Sequence, residues 1–343
     1  MEFIDYIQNE FLKHKIISII GLAKNVSKTT TLNHIINHFS SKYQLGLTSI
    51  GRDGEKYDII SEFPKPRIKI RKGTLVATAQ ESLKNSEINT KKIKDTNIST
   101  PMGNVLILEA ENDGFIELAG PSSNTGLKRV CNQLLDHDCD LVLIDGAFDR
   151  RSFASPLISD ATILSTGASV SKNMDKVIEI TTHTIELLSI DPEKDPNICK
   201  IIKKLLLNGK VGFIFDDNTT KLLDLDTALT TGTKIGKILT DNIQYVVIKG
   251  AITDRFLEDI MKSTDKYVGV NFIVENATKL FIGKNTFNKF LKKGGKIKVL
   301  QPIKVIAITI NPTSPYGYNF NKNVFFKALQ DKITIPIFDL GPN

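Results

Sequence analysis

The stretch Ser18-Ile-Ile-Gly-Leu-Ala-Lys-Asn-Val-Ser-Lys-Thr-Thr-Thr-Leu-Asn33 decides the fold of this chain. Lys15 to Ile20 is a run rich in β-branched residues that enters a turn at Gly21. From Thr29 to Phe39 apolar residues recur at helical spacing, at Leu32, Ile35, Ile36 and Phe39. The pattern reads as strand, loop, helix, with Lys28 and Thr29 at the helix start. A second strand, Leu45 to Ile50, follows and closes in the polar turn Gly51 to Glu55, which completes a βαβ unit.

A Lys-Thr pair opening a helix directly after a buried strand and a glycine turn is the setting of a P-loop. In that setting Gly21, Ala23, Lys24, Asn25, Val26, Ser27, Lys28, Thr29 and Thr30 are the candidate nucleotide-binding residues. Backbone N–H groups and the helix dipole receive a phosphate, the Lys28 ammonium neutralises β- and γ-oxygens, and the Thr29 hydroxyl completes a Mg²⁺ shell. Two departures stand out. The loop is one residue longer than GxxxxGK[ST], and Ser27 stands directly before Lys28 where that pattern has glycine. Loss of glycine's freedom there costs on the order of 1 kcal/mol. The competing reading is a solvated helix start with a threonine cap.

Further along, Leu141-Val-Leu-Ile-Asp145 is a continuous apolar strand ending in a carboxylate, the arrangement in which Asp145 holds Mg²⁺ directly or through water. Gly146 lets the chain pass close to phosphates. Asp149, Arg150 and Arg151 are either phosphate contacts or surface ion pairs. Asp53, in the turn after the second strand, is the candidate for orienting water or metal, with Arg52 and Glu55 as weaker neighbours. Asp53 and Asp145 are thus the catalytic candidates, and Thr29 and Asp145 the metal ligands.

Other clusters favour structural roles. His34 and His38 share a helix face without an accompanying carboxylate or thiol, so they read as helix-surface residues. His137, flanked by Asp136, Asp138 and Cys139, reads as a turn, and Cys131 as core. Thr166, Gly167, Ala168 and Ser169 either line a pocket or cap a helix. Asn311-Pro-Thr-Ser-Pro-Tyr-Gly-Tyr318 ends a strand and is either a rigid turn or an amphipathic ligand surface.

The 343 residues carry 45 Lys plus Arg against 38 Asp plus Glu, a net charge of +7 that is scattered rather than blocked. Phosphate-bearing ligands are allowed; nucleic acid is not indicated. Three cysteines without CxxC spacing argue against a disulfide framework or zinc ribbon. A reducing cytoplasm is the expected location. No apolar run reaches membrane-spanning length, so no membrane partner is expected.

The expected fold class is α/β: a P-loop NTPase parallel sheet with helices on both faces, plus a second α/β domain or an extension of the first sheet. The polar, proline-containing stretch Asp191 to Asn197 divides residues 1–190, the nucleotide-binding domain, from residues 191–343, a C-terminal α/β domain. Ala161 to Leu164 is expected beside the Asp145 strand, Lys84 to Thr100 as an exposed connection, and Val105 to Glu109 with Phe115 to Leu118 as a hairpin.

Several strings act as a set: Thr48-Ser-Ile-Gly-Arg-Asp-Gly-Glu55, Pro64-Lys-Pro-Arg67, Lys72-Gly-Thr-Leu-Val-Ala-Thr-Ala79, Glu117-Leu-Ala-Gly-Pro-Ser122, Ile144-Asp-Gly-Ala-Phe-Asp-Arg-Arg151 and Asn311 to Tyr318. Across most of its length the chain resembles a P-loop family described as a reactivase subunit for the cobalamin-dependent enzyme lysine 5,6-aminomutase. Ala23 to Thr30 is also similar to the loop of molybdopterin-guanine dinucleotide accessory GTPases. The first resemblance implies an ATP-dependent chaperone that helps exchange damaged cobalamin, with the aminomutase as client and a MutS-like partner subunit. It also implies a glycine where Ser27 stands, and this departure counts against turnover. No Asn-Lys-x-Asp motif is present, which leaves ATP and GTP both open. The rival readings are a small-molecule ligase or kinase using ATP and a non-hydrolysing nucleotide-binding scaffold.

Overall fold

A computed structural model describes residues 2–53, 67–146, 155–223 and 231–341. The chain divides into two compact units, Met1–Ile185 with Lys304–Asn343, and Glu186–Ile303. In the first, α1 (Phe3–Phe11) precedes β1 (Ile16–Gly21), α2 (Lys28–Phe39), β2 (Leu45–Ser49) and the short β3 (Arg52–Asp53). Then come β4 (Ile68–Ile70), β5 (Leu75–Ala79), β6 (Thr90–Thr100), β7 (Gly103–Ala110), β8 (Gly114–Ile116) and β9 (Leu118–Ala119). Helix α3 (Asn124–Leu135), β10 (Leu141–Asp145), β11 (Ala161–Gly167) and α4 (Met174–Leu188) follow.

The second unit contains α5 (Pro196–Asn208), β12 (Val211–Phe215), β13 (Thr220–Leu223), α6 (Thr231–Ile238), β14 (Ile243–Ile248), β15 (Ile252–Thr253), α7 (Asp254–Ser263), β16 (Asn271–Val274), β17 (Leu280–Phe281), α8 (Lys284–Lys292) and β18 (Lys296–Val299). The chain then returns to the first unit through β19 (Val305–Asn311), α9 (Lys322–Gln330) and β20 (Ile337–Asp339).

The first unit is built on a nine-stranded sheet in the order β20-β19-β11-β1-β10-β2-β5-β7-β6. Its strands are parallel from β20 to β5, and β7 and β6 add antiparallel strands at one side. The apolar runs of β1 and β10 follow from burial on both faces. Ile17, Ile19, Leu141 and Leu143 pack with Ile7 of α1 and Leu32, Ile35 and Ile36 of α2. The alternate residues Ile16, Val142 and Ile144 pack with Leu127, Val130 and Leu134 of α3 on the opposite face. Helices therefore cover both faces, and every loop leaving the C-terminal end of a parallel strand reaches one edge of the sheet.

The second unit has a five-stranded sheet, β13-β12-β14-β16-β18, with β14, β16 and β18 parallel. Ile202, Ile214, Val247 and Ile273 lie in its core. Glu193 is buried there and accepts hydrogen bonds from Tyr245 Oη and Lys298 Nζ, each at 2.8 Å.

Four expectations change. The expected second domain, 191–343, does not run to the chain end as one body, because β19 and β20 complete the first sheet. Ile306, Ala307, Ile308 and Ile310 make β19 a largely apolar, buried strand suited to a sheet interior, and it finds its partner in β11. Strand β11 does not neighbour β10: β1 lies between them. Residues 84–100 are not all connection, since β6 is an outer strand whose lysines suit an open sheet edge. Strands β7 and β8 do not pair with each other: β7 pairs with β5 and β6, and β8 with β4.

Candidate functional site

Strand β1 ends at Gly21, and α2 begins at Lys28 after a loop that turns at the C-terminal edge of the sheet. A Cβ on Gly21 would stand 2.7 Å from Val26 Cγ2 and 2.9 Å from Lys28 Cδ, so the loop folds back over this glycine. Val26 and Ala23 are buried and anchor the loop, whereas Lys24, Asn25, Ser27, Lys28, Thr29 and Thr30 are half-buried. Leu22 N donates to Ser165 O of β11 at 3.0 Å, and Lys28 Nζ donates to Ala23 O at 3.4 Å.

Two residues of the loop have left-handed backbone, Asn25 at φ 59° and Ser27 at φ 67°. Asparagine tolerates this region and serine does so less readily. Ser27 is the N-cap of α2 but makes no side-chain cap hydrogen bond. The threonine cap weighed from the sequence is therefore not what starts this helix. The N–H groups of Lys28, Thr29 and Thr30 occupy the first turn, where α-helical geometry supplies no partner, and the helix dipole adds positive potential.

Asp145 is fully buried at the end of β10, in register with Ile19 of β1 and Ser49 of β2. Gly146 N donates to Ile19 O at 2.9 Å, and a Cβ on Gly146 would stand 2.7 Å from that oxygen. The glycine is required by this close approach of backbone to backbone. Strand order thus places Asp145 on the strand adjoining the one that feeds the loop.

Asp53 ends β3, its backbone paired with Leu118 of β9. Glu55, Asp149, Arg150 and Arg151 lie outside the described residues. A carboxylate and a threonine hydroxyl are hard oxygen donors of the kind Mg²⁺ takes beside phosphate. Among the described residues no group of three His, Cys, Asp or Glu side chains is arranged to hold a metal.

The remaining candidates fall into place. The His34 and His38 rings lie 4.8 Å apart on α2, and burial together with the neighbouring His38 lowers the His34 pKa. His137 sits in the turn after α3, and Cys131 is buried in the core. Thr166 shares a hydrogen bond with Thr181 of α4, their hydroxyls 2.9 Å apart. In the Asn311–Tyr318 loop, Tyr318 Oη donates to Ala168 O at 2.8 Å, and Lys172 Nζ lies 5.9 Å from the Tyr318 ring centre.

Sequence reasoning named Ser169 as a pocket or cap residue but missed its contact with the loop and the other hydroxyls around it. Ser169 Oγ donates to Asn25 O at 3.0 Å. Thr31 Oγ1 donates to Ser27 O at 3.0 Å and lies 3.1 Å from Thr309 Oγ1, which lies 2.8 Å from Ser165 Oγ. Thr31 and Thr309 are separated by 278 residues, so no local pattern joins them.

Comparison with protein-family models, curated proteins and solved structures finds no match to this chain. Among the described residues no helix is long and apolar enough to cross a membrane.

Proposed function

We propose that the protein binds a Mg-nucleotide through the Gly21–Thr30 loop and acts as an ATP-dependent reactivating subunit for a cobalamin-dependent aminomutase. In this reading the first-turn N–H groups of α2 and the Lys28 ammonium receive the phosphates. Thr29 and Asp145 hold the cation, and the Glu186–Ile303 unit is the part that differs from a minimal nucleotide-binding sheet and contacts the client. Nucleotide state biases a conformational equilibrium that the client reads.

The observation that carries the reading is the adjacency of β1 and β10. A strand entering a glycine turn and a lysine-headed helix lies beside a strand that ends in a buried carboxylate. Open α/β sheets place ligands at this edge. The client half rests on the sequence resemblance alone.

A second reading, a nucleotide-binding scaffold that does not hydrolyse, is favoured by Ser27. A non-glycine residue held at φ 67° restricts how the backbone before Lys28 accommodates phosphate.

Calorimetric titration with Mg-ATP and Mg-GTP tests the binding claim: saturable binding is expected for the wild type, and its absence for both nucleotides refutes the reading. Hydrolysis rates of wild type and Ser27→Gly separate the two versions. A rate that rises only with added aminomutase supports the reactivase, and no turnover under any condition supports the scaffold.

A further inference from the structure

We infer that Ser169 is a positioning residue that holds the Gly21–Thr30 loop in a preset shape by fixing the carbonyl of its left-handed residue Asn25. The inference rests on the reading of this loop as a phosphate site. A left-handed non-glycine residue relaxes to another backbone region unless its surroundings hold it. The loop has two such residues. Ser27 is held by its own helix, its carbonyl accepting from Thr31 N at 2.9 Å and facing Thr31 Oγ1 at 3.0 Å. The Asn25 carbonyl instead accepts from Ser169 Oγ, 144 residues away, at 3.0 Å.

The consequence follows from peptide geometry. A peptide unit is planar and trans, so its C=O and the next residue's N–H point in opposite directions. Fixing the Asn25 carbonyl therefore fixes the direction of the Val26 N–H, which points away from the Ser169 hydroxyl. Val26 is 1 % exposed, which keeps the segment from rotating as a whole.

Ser169 is itself braced, in a short turn clamped from the other side. Tyr318 Oη donates to Ala168 O at 2.8 Å, and Gly167 lies so close to β19 that a Cβ would stand 2.2 Å from Asn311 O. The Asn311–Tyr318 loop thereby gains a role, as the brace of the turn that carries Ser169.

The test uses the full chain and two readouts. Hydrogen exchange without ligand is measured over peptides spanning residues 22–31, and Mg-ATP affinity is measured by calorimetry. Ser169→Ala is expected to speed exchange at Val26 by about three- to ten-fold, with Mg-ATP binding weakened by a similar factor, as loss of one hydrogen bond implies. Ser169→Thr, which keeps the hydroxyl, is expected to restore both. Unchanged exchange in Ser169→Ala overturns the inference. So does acceleration spread through β1 and all of α2, which marks a general structural role, and so does unchanged affinity in a protein that binds. If the wild type binds no Mg-ATP, the phosphate reading falls, and the exchange measurement still decides whether the Ser169 hydroxyl holds the loop.

Discussion

Asp145, the last residue of β10, pairs in register with Ile19 of β1, just ahead of the turn at Gly21. A carboxylate and the start of a lysine-headed loop are thereby held by one ladder of backbone hydrogen bonds. The Asp145→Asn variant keeps the shape and removes the charge. We expect it to bind nucleotide equally with magnesium and with a chelator, whereas the wild type should bind far better with magnesium. A variant that retains the wild-type magnesium dependence excludes Asp145 as the metal-holding carboxylate.

Lys28 opens α2 half-exposed, with one hydrogen bond to the carbonyl of Ala23. Truncation there should leave stability within about 0.5 kcal/mol of wild type, because no buried packing is lost. Lys28→Ala is expected to abolish Mg-nucleotide binding by calorimetry while the thermal midpoint stays in place. Unchanged affinity would remove the lysine from the site.

Ser27 holds a backbone conformation that glycine adopts without steric cost. Ser27→Gly should therefore stabilise the protein by about 1 kcal/mol, read from the urea midpoint at constant slope. A lower midpoint would show that the serine's own interactions outweigh the strain.

Glu193 links the second unit's sheet to the segment before α5. Its burial works to raise the carboxyl pKa, yet the Lys298 ammonium, the Asp195 backbone N–H and the Tyr245 hydroxyl together hold it down at about 2 against an ordinary 4.5. A depressed carboxyl contributes stability above its unfolded value and loses it as pH falls through the folded one. The contribution, about 3 kcal/mol at most, should be complete above pH 4.5 and fade towards pH 2. Comparing Glu193→Gln with wild type in urea, we expect a stability gap at pH 6 that narrows steadily towards pH 3. A gap independent of pH contradicts this.

The thiols offer a fifth handle. Burial pushes Cys131 and Cys139 each up to about 12, and it also raises Cys199, which is only partly buried. A thiolate-specific reagent at pH 8 should find at most one slow site, Cys199, in the folded protein, and all three thiols in urea. Fast modification of Cys131 or Cys139 would mean that the core around α3 opens.

What the sequence made legible was local. The β-branched run before Gly21, the helical spacing of Leu32, Ile35 and Ile36, and the apolar run ending at Asp145 each reflect burial of consecutive or periodic residues, and each became the expected element. Pairing order was not legible, since nothing in Ala161–Gly167 records that β1 rather than β10 lies beside it. Strand β6 was hidden by its lysines, because an outer strand with one covered side need not look apolar. The contact on Asn25 was invisible for another reason: Ser169 is brought to it across 144 residues by tertiary packing alone.

The return of β19 to β11 also governs how the molecule is made. Ser165 and Thr309 are 144 residues apart, so a ribosome working at ordinary speed leaves the flank of β11 bare for on the order of ten seconds. During that interval the nascent sheet presents an apolar border to its surroundings while the whole inserted unit emerges. Slowing translation between these two strands should therefore lower the soluble yield more than an equal pause before β1.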